Sequence, residues 1–522
     1  MRSSHARADA NVAKSHDAKS FLVALAIVHV AVAAKTNAKV LILGAGVAGL
    51  QAANTLKEKG VDDIILIEAE DHVGGRLVTG SAAGMPTDSA FWETDTKYPE
   101  RNTLGQMLEQ CNVDLANIGL STRVFVDEYG KDVSTQAEAR MKELTQKINK
   151  LKTDWTTGLL NESADLNMHA AVRLYGWHPQ NSVDVAVEGW VFDSFLAPTE
   201  QSAANYLYLY AGPNAYSANQ KYFSTGLGEV YSKAKLVNCM RDLVFSASDE
   251  RLVLGARVTD VSYTSSGVTV TVDGGQTYRG DYAIVTFSLA VFQRESVAFQ
   301  PPLPYAKRLV MNEFPMIPLT FVWARFDRLV DVDGTRYRFY VFANDHRLNW
   351  HWARDVWASV QNVTYDIIRF WIWGEQALRI ERQSYNETLR ELNELTTAAF
   401  GVAPVSVNVS SVNYDPLYGG CCRGWPIGAT FAEFDLLRAP VADRVFFAGD
   451  AYQIPIYARA ASISGKETAS IVVDCMNGKS CAYPKFNNQT VTEPPCPTGG
   501  AVQFGLSLAS VVIWALAFAA CY

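Results

Sequence analysis

A chain of 522 residues that is 48% hydrophobic and 11% aromatic can bury more than one large core, which excludes disorder for most of its length. Its net charge of -8 argues against nucleic acid as a partner. The same charge suits a cationic ligand only weakly, because solubility alone selects a charge of that size. At the N-terminus Arg2, Arg7, Lys14 and Lys19 precede an apolar run at 21–34 that leaves through Val32 and Ala34 to Lys35. That order describes a secretory signal peptide over 1–34. The rival is an uncleaved anchor, which fourteen apolar residues disfavour against the ~20 that span a bilayer.

Residues 40–43 read as a short buried strand, 50–59 as a helix and 64–67 as a second buried strand, with Gly44, Gly46 and Gly49 at G-x-G-x-x-G spacing between the first two. In such a β-α-β unit Gly44 makes the tight turn, Gly46 lets a pyrophosphate approach the backbone, and Gly49 lets helix and strand pack closely. The helix N-terminus offers free N–H groups and a partial positive charge to the phosphates. Glu68, nineteen residues beyond Gly49, stands where an acid accepts hydrogen bonds from a ribose hydroxyl. The glycines alone also fit a purely structural turn. Strands, helix and acid in register favour a dinucleotide site.

Asp71-His72-Val73-Gly74-Gly75-Arg76 follows, and from here the chain resembles the flavin-containing amine oxidase family, especially its secreted plant and fungal polyamine oxidases. The resemblance implies FAD as cofactor, with Arg76 reaching its phosphates. At 82–92 the chain reads A-A-G-M-P-T-D-S-A-F-W, where the family passes beside the flavin ring. Asp88 takes the family's acidic position and Trp92 its tryptophan, while the glycine of the family's G-A-x-W is missing. The plain alternative for Asp88 is a turn residue after Pro86.

Residues 101–111 and 134–160 read as helices, the second carrying Met141, Leu144, Ile148, Leu151 and Trp155 on one face behind a Ser134-Thr135 cap. A further helix is expected at 182–196. The stretch 205–222 holds Tyr206, Tyr208, Tyr210, Tyr216 and Tyr222. The resemblance suggests an aromatic tunnel for amines there, but strand propensity alone would select the same residues. Strands follow at 256–263, 267–272 and 282–287. By resemblance, Val258 bonds the adenine through its backbone. Pro301-Pro302-Leu303-Pro304 marks a boundary, then strands are expected at 317–326, 337–342 and 367–373 and a helix at 381–400. The run Phe370-Trp371-Ile372-Trp373 implies a strand buried on both faces.

The last segment is the most specific match. Gly424-Trp425-Pro426-Ile427-Gly428, Glu433 to Val441 and Arg444 to Asp450 follow the polyamine oxidases almost position for position. The resemblance places Trp425 against the isoalloxazine ring and Gly449-Asp450 at the ribityl chain and pyrophosphate. Two departures stand out. Phe321 occupies the position of a lysine that in the family holds a water at flavin N5, and Lys307 matches a different basic residue. After Asp450 the chain is two residues shorter than the family; Tyr457 keeps the aromatic that faces substrate, but a glycine and a final tyrosine are lost. Arg459, opening the last helix, is expected to add its charge beside the flavin N1 and C2=O.

Phe504 to Tyr522 form an apolar tail with no basic residue after it, the pattern of a GPI-attachment signal with Thr498, Gly499, Gly500 and Ala501 as candidate sites; a single-span anchor is the competitor. Sequons at Asn161, Asn362, Asn386, Asn408 and Asn488 permit glycans. The eight cysteines lack zinc-ligand spacing, so no metal is expected, and Cys475 with Cys481 is the favoured disulfide, a spacing the relatives share. The expected fold is α/β (α+β). A discontinuous Rossmann-like FAD-binding domain occupies 39–100, 223–300 and 412–480, and a substrate domain of mixed sheet and helices occupies 101–222 and 301–411. A linker at 482–503 leads to the tail at 504–522. The expected function is a secreted or surface-anchored, monomeric oxidase taking an amine, foremost spermine or spermidine, and O2, and releasing hydrogen peroxide. Asp88, Phe321 and Tyr457 are its candidate catalytic positions. The alternatives are a surface flavoprotein that lost oxidase chemistry and an oxidase for another amine.

Overall fold

The two apolar runs that flank the glycines pair in parallel, Val40 opposite Ile64 and Leu43 opposite Ile67. Val40, Ile42, Ile64 and Leu66 face one hydrophobic cluster and Leu41, Leu43, Ile65 and Ile67 another, as a parallel sheet covered on both faces requires. The computed structural model describes residues 35–485 apart from 78, 83–84, 89–92, 96–102, 114, 117–122, 157–164, 193–219, 224–226, 247, 329, 331–338, 344–350, 356–366, 411 and 454–456. Trp92, the tyrosines from Tyr206 to Tyr216, both terminal segments and the sequons at Asn161, Asn362 and Asn488 lie outside the described residues. Asn386 is exposed.

The strand Asn37–Leu43 lies between Ile64–Ile67 and the long strand Thr277–Val285 in an eight-stranded sheet. Thr277–Val285 begins five residues earlier than its sequence suggests, because its first half pairs antiparallel with Gly267–Val272. Its second half pairs in parallel with both Asn37–Leu43 and Val445–Phe447. Leu43 and Val285 therefore end side by side, and the chain that leaves each of them does so at the same edge.

The first helix, Val47–Glu58, is buried along its first ten residues and packs on the closing helix, Tyr457–Met476. A side chain at Gly465 would come within 2.3 Å of the Ala48 carbonyl, so the two helices meet backbone to backbone there. Cys475 lies inside this closing helix and is bonded to Cys481, the pair the sequence favours. A second disulfide, Cys111–Cys239, joins the end of helix Thr103–Gln110 to helix Leu227–Asp242.

A six-stranded sheet runs in the order Ser406–Val409, Leu319–Arg325, Ile367–Trp373, His351–Asp355, Phe339–Ala343 and Arg123–Asp127. Phe370 and Ile372 face one core and Ile367 and Trp373 another, so the central strand is buried on both sides as its sequence implies. The helices Ser134–Thr156, Met168–Leu174 and Ser182–Phe192 pack on Phe125 and Val341. Expected as one helix, 381–400 is two: Gly374–Arg382 and Tyr385–Phe400, separated where Gln383 is extended and Ser384 caps the second. Among the described residues no helix is long and apolar enough to cross a membrane, and no cluster of metal ligands forms.

Candidate active site

Gly44 has a φ of +107°, and a Cβ there would press within 2.4 Å of the Thr286 hydroxyl, which itself donates to the Leu43 and Gly44 carbonyls. Gly49 is as constrained, since its Cβ would lie 1.9 Å from the Gly44 carbonyl oxygen. Gly46 differs. A Cβ on it would meet nothing within 4 Å, because the residue faces open space. That space is a pair of cavities of about 590 and 830 Å³, including the parts open to solvent, which share Gly46, Arg76 and Thr286 in their walls.

The larger cavity is walled by Glu68, Glu70, Val258 and Tyr418. Glu68 is 8% exposed; its two carboxylate oxygens accept from the N–H groups of Ala45 at 2.6 Å and Glu70 at 3.0 Å. Burial pushes this carboxyl above its ordinary value, and the backbone hydrogen bonds oppose the shift. The bonds leave lone pairs on both oxygens for a further donor. Tyr418 donates to Glu70 Oε2 at 2.5 Å, and burial, then that carboxylate, raise its phenol pKa.

The second glycine turn is stitched to the first: Gly74 N–H donates to the Ala45 carbonyl at 2.9 Å. This stitch aims Arg76, whose Nη2 meets Asp450 Oδ1 at 2.5 Å while Nη1 donates to the Cys421 carbonyl. Burial would weaken the guanidinium's hold on its proton, and the Asp450 charge more than offsets it. Arg76, Asp450, Gly449, Cys421 and Tyr457 line the smaller cavity.

Tyr457 holds a φ of +83° and is 8% exposed; with Cys421 and Cys422 it joins a cluster that contains Phe321, Trp323 and Trp371. Phe321 is fully buried, edge-on to Trp371 at 6.0 Å. Lys307 is not brought here. It donates to the carbonyls of Leu437 and Ala439, both at 2.7 Å, at the end of helix Phe431–Arg438, and burial drives its pKa down. A cation does share the face of Phe321: the buried guanidinium of Arg369, one strand over, lies 5.4 Å from the Phe321 ring and 4.9 Å from that of Trp323.

Trp425 lines neither cavity; its indole packs on Phe314 and Phe434, with the Arg423 guanidinium 5.0 Å away. Arg459, half-buried in the first turn of the closing helix, lines neither cavity. Asp88 ends the strand Met85–Asp88, which lies against Leu319–Arg325; its side chain is outside the description. Sequence reading missed Thr286, Cys421, Tyr418 and Arg369. Only Thr286 carried a signal, since it follows the strand adjacent and parallel to the one that ends in the glycine turn, where open α/β sheets bind ligands.

A family model for flavin containing amine oxidoreductases matches residues 47–473. The chain is 27% identical over 490 residues to polyamine oxidase 1 of Zea mays, covering 89% of this chain and 96% of that protein. It is also 27% identical over 482 residues to polyamine oxidase 6 of Oryza sativa subsp. japonica, covering 87% and 94%. Putrescine oxidase bound to putrescine shares the fold with a TM-score of 0.67 at 17% identity, over 84% of this chain and 99% of that one. Cyclohexylamine oxidase from Brevibacterium oxydans IH-35A superimposes with a TM-score of 0.64 at 18% identity, over the same shares. A flavin dinucleotide fits the open space at Gly46 and the two cavities that meet there. The chain belongs to the flavin-containing amine oxidoreductase family, and its cofactor is FAD.

Proposed function

We propose that the protein is an extracellular oxidase of polyamines such as spermine or spermidine that hands electrons to dioxygen and releases hydrogen peroxide. The observation that carries the reading is the junction of the two cavities at Gly46, Arg76 and Thr286, with Tyr457 and the buried aromatic cluster at the end of the smaller one. FAD, when bound, supplies a hydride acceptor for the carbon beside the amine nitrogen and a two-electron donor for dioxygen. In atoms, a secondary amine with O2 and H2O gives an aldehyde, a shorter amine and H2O2.

The chain's own residues bind and orient. Glu68 holds the ribose hydroxyls, Val258 the adenine edge, the N–H groups after Gly46 the pyrophosphate, and the Arg76–Asp450 pair the phosphate and ribityl segment. Tyr457, Phe321 and Trp371 exclude water from the reacting end. An amine taken out of water between such rings loses affinity for its proton, which frees the lone pair that hydride loss requires. The names of the plant relatives support polyamines as substrates. The signal-like start and the two disulfides support an oxidising, extracellular compartment, with a GPI or single-span tail holding the protein to the membrane.

Phe321 favours a second reading, a flavoprotein without oxidase turnover, because phenylalanine can neither hold a water nor carry charge. The test is secretion of the protein from an expression host, its absorption spectrum, and peroxide release with a panel of polyamines, monoamines and amino acids. A flavin spectrum with peroxide from spermine or spermidine supports the oxidase. Flavin without peroxide from any amine supports the second reading, and peroxide only from other amines moves the substrate class.

A further inference from the structure

Cys421 and Cys422 are the free cysteines among the described residues, and both are buried, at 7% and 0% exposure. They are consecutive, and both belong to the buried cluster that holds Phe321 and Trp323. Cys421 forms part of the wall of the smaller cavity, beside Gly46, Asp450 and Tyr457. Its carbonyl accepts from Arg76 Nη1, and its N–H donates to the Ile317 carbonyl at 2.9 Å. Cys422 opens the short strand Cys422–Arg423, paired with Met316–Ile317. Any residue at 421 would present the same carbonyl to Arg76, so holding the nucleotide does not account for two thiols in sequence.

We propose that Cys421 and Cys422 form a redox site at which peroxide within the cofactor cavity closes a vicinal disulfide, and that closure loosens the Arg76–Asp450 clamp. The proposal rests on the oxidase reading in that peroxide is then formed in the same cavity. Cys421 is the attacking thiol because that residue belongs to the cavity wall, whereas Cys422 has no exposed surface. The Cys421 sulfur attacks one peroxide oxygen, the O–O bond breaks, and hydroxide leaves with a proton as water, giving a sulfenic acid. The Cys422 sulfur then attacks the Cys421 sulfur and gives up its proton to the departing hydroxide; the S–S bond forms, the S–O bond breaks and a second water departs. Two thiols lose two electrons and two protons, and one peroxide becomes two waters.

Consecutive Cα atoms stand about 3.8 Å apart across a trans peptide, shorter than the roughly 4.4–6.8 Å a disulfide usually spans. Closure therefore twists the Cys421–Cys422 peptide, turns the Cys421 carbonyl off Arg76, and leaves a strained bond that is easily reduced. Gly419 and Gly420, with φ of +63° and +138°, sit immediately upstream, so the preceding backbone is of a type that tolerates unusual angles.

The full-length holoprotein is reduced with dithiothreitol, desalted and treated with hydrogen peroxide, then denatured, alkylated and digested with trypsin. Residues 391–423 form one tryptic peptide whose only cysteines are Cys421 and Cys422. The expected result is two alkylated thiols before peroxide, none after it with a mass loss of 2 Da, and both restored by dithiothreitol. FAD affinity of the oxidised form is expected to fall at least fivefold and to recover on reduction. Cys422→Ser is expected to stop at a Cys421 sulfenic acid that dimedone traps; if that variant does not fold, the wild-type peptide mass decides. Thiols still alkylated after peroxide, or sulfinic acid on Cys421 with Cys422 free, overturn the proposal. So does cofactor that stays on the acid-precipitated polypeptide with one thiol already missing before peroxide. A parallel arm replaces added peroxide with amine and air. Disulfide formed by added peroxide when no amine yields peroxide supports the redox site while the oxidase reading fails.

Discussion

Gly46 and Gly49 belong to one motif yet fail in different ways when given a side chain. Gly46 has extended backbone (φ -68°, ψ -179°) that any residue adopts, and open space before it. Gly46→Val is therefore expected to fold with wild-type stability and to lose FAD affinity tenfold or more, read by thermal unfolding of the apoprotein and by fluorescence titration with FAD. Gly49→Ala would drive a methyl group into the Gly44 carbonyl, 1.9 Å away, and is expected to destabilise the fold by about 1–3 kcal/mol. Phe321 poses the opposite problem. Phe321→Lys restores the family's residue but places an ammonium about 5 Å from the Arg369 guanidinium, a repulsion of about 3 kcal/mol at an effective dielectric of 20. The single variant is expected to unfold at lower temperature than wild type, and Arg369→Leu in the same chain to recover part of the loss. A lysine variant as stable as wild type would show that Arg369 does not set the charge on this face.

Within the helical layer, Glu188 does what a buried carboxylate must. It is 4% exposed and accepts from both Arg173 Nη atoms at 2.8 Å and from Trp177 Nε1 at 2.7 Å, with His169 Nε2 at 2.8 Å. Burial alone would raise its pKa; the hydrogen bonds from His169, Arg173 and Trp177 bring it down to about 2. Because the folded value lies below the unfolded one near 4.5, its contribution is complete above pH 4.5 and is lost as pH falls toward 2. Hydrogen exchange of helices Met168–Leu174 and Ser182–Phe192 is expected to accelerate over that window. Glu188→Gln is expected to flatten the acid dependence and to cost about 3 kcal/mol at neutral pH. The split of the expected helix at 381–400 belongs to this scale too. Ser384-Tyr385-Asn386-Glu387 is a capping box, with Ser384 N–H donating to Glu387 at 2.9 Å, and its S-x-x-E spacing was visible without coordinates.

Across the entire chain, the Cys111–Cys239 bond closes a loop of 128 residues. Cys111→Ser is expected to cost about 2–4 kcal/mol of stability, and a non-reducing peptide map should show this pair beside Cys475–Cys481. Nothing in the spacing of these two cysteines announced the bond, because their approach depends on how helix Leu227–Asp242 packs against helix Thr103–Gln110. The same divide separates the legible part of the site from the rest. Gly44, Gly46, Gly49 and Glu68 lie within one β-α-β unit, where hydrophobic pattern, turn chemistry and strand pairing are nearly local, so the nucleotide cradle could be read from the residues alone. Arg76 meets Cys421 and Asp450 from 345 and 374 residues away, and Arg369 meets Phe321 through cross-strand register. Resemblance supplied Arg76 and Asp450 as separate positions. Their pairing, the burial of Trp425 away from both cavities, and the place of Cys421 in the cavity wall arise from strand order and helix packing. Those depend on which distant surfaces exclude water together, and no window of neighbouring residues carries that information.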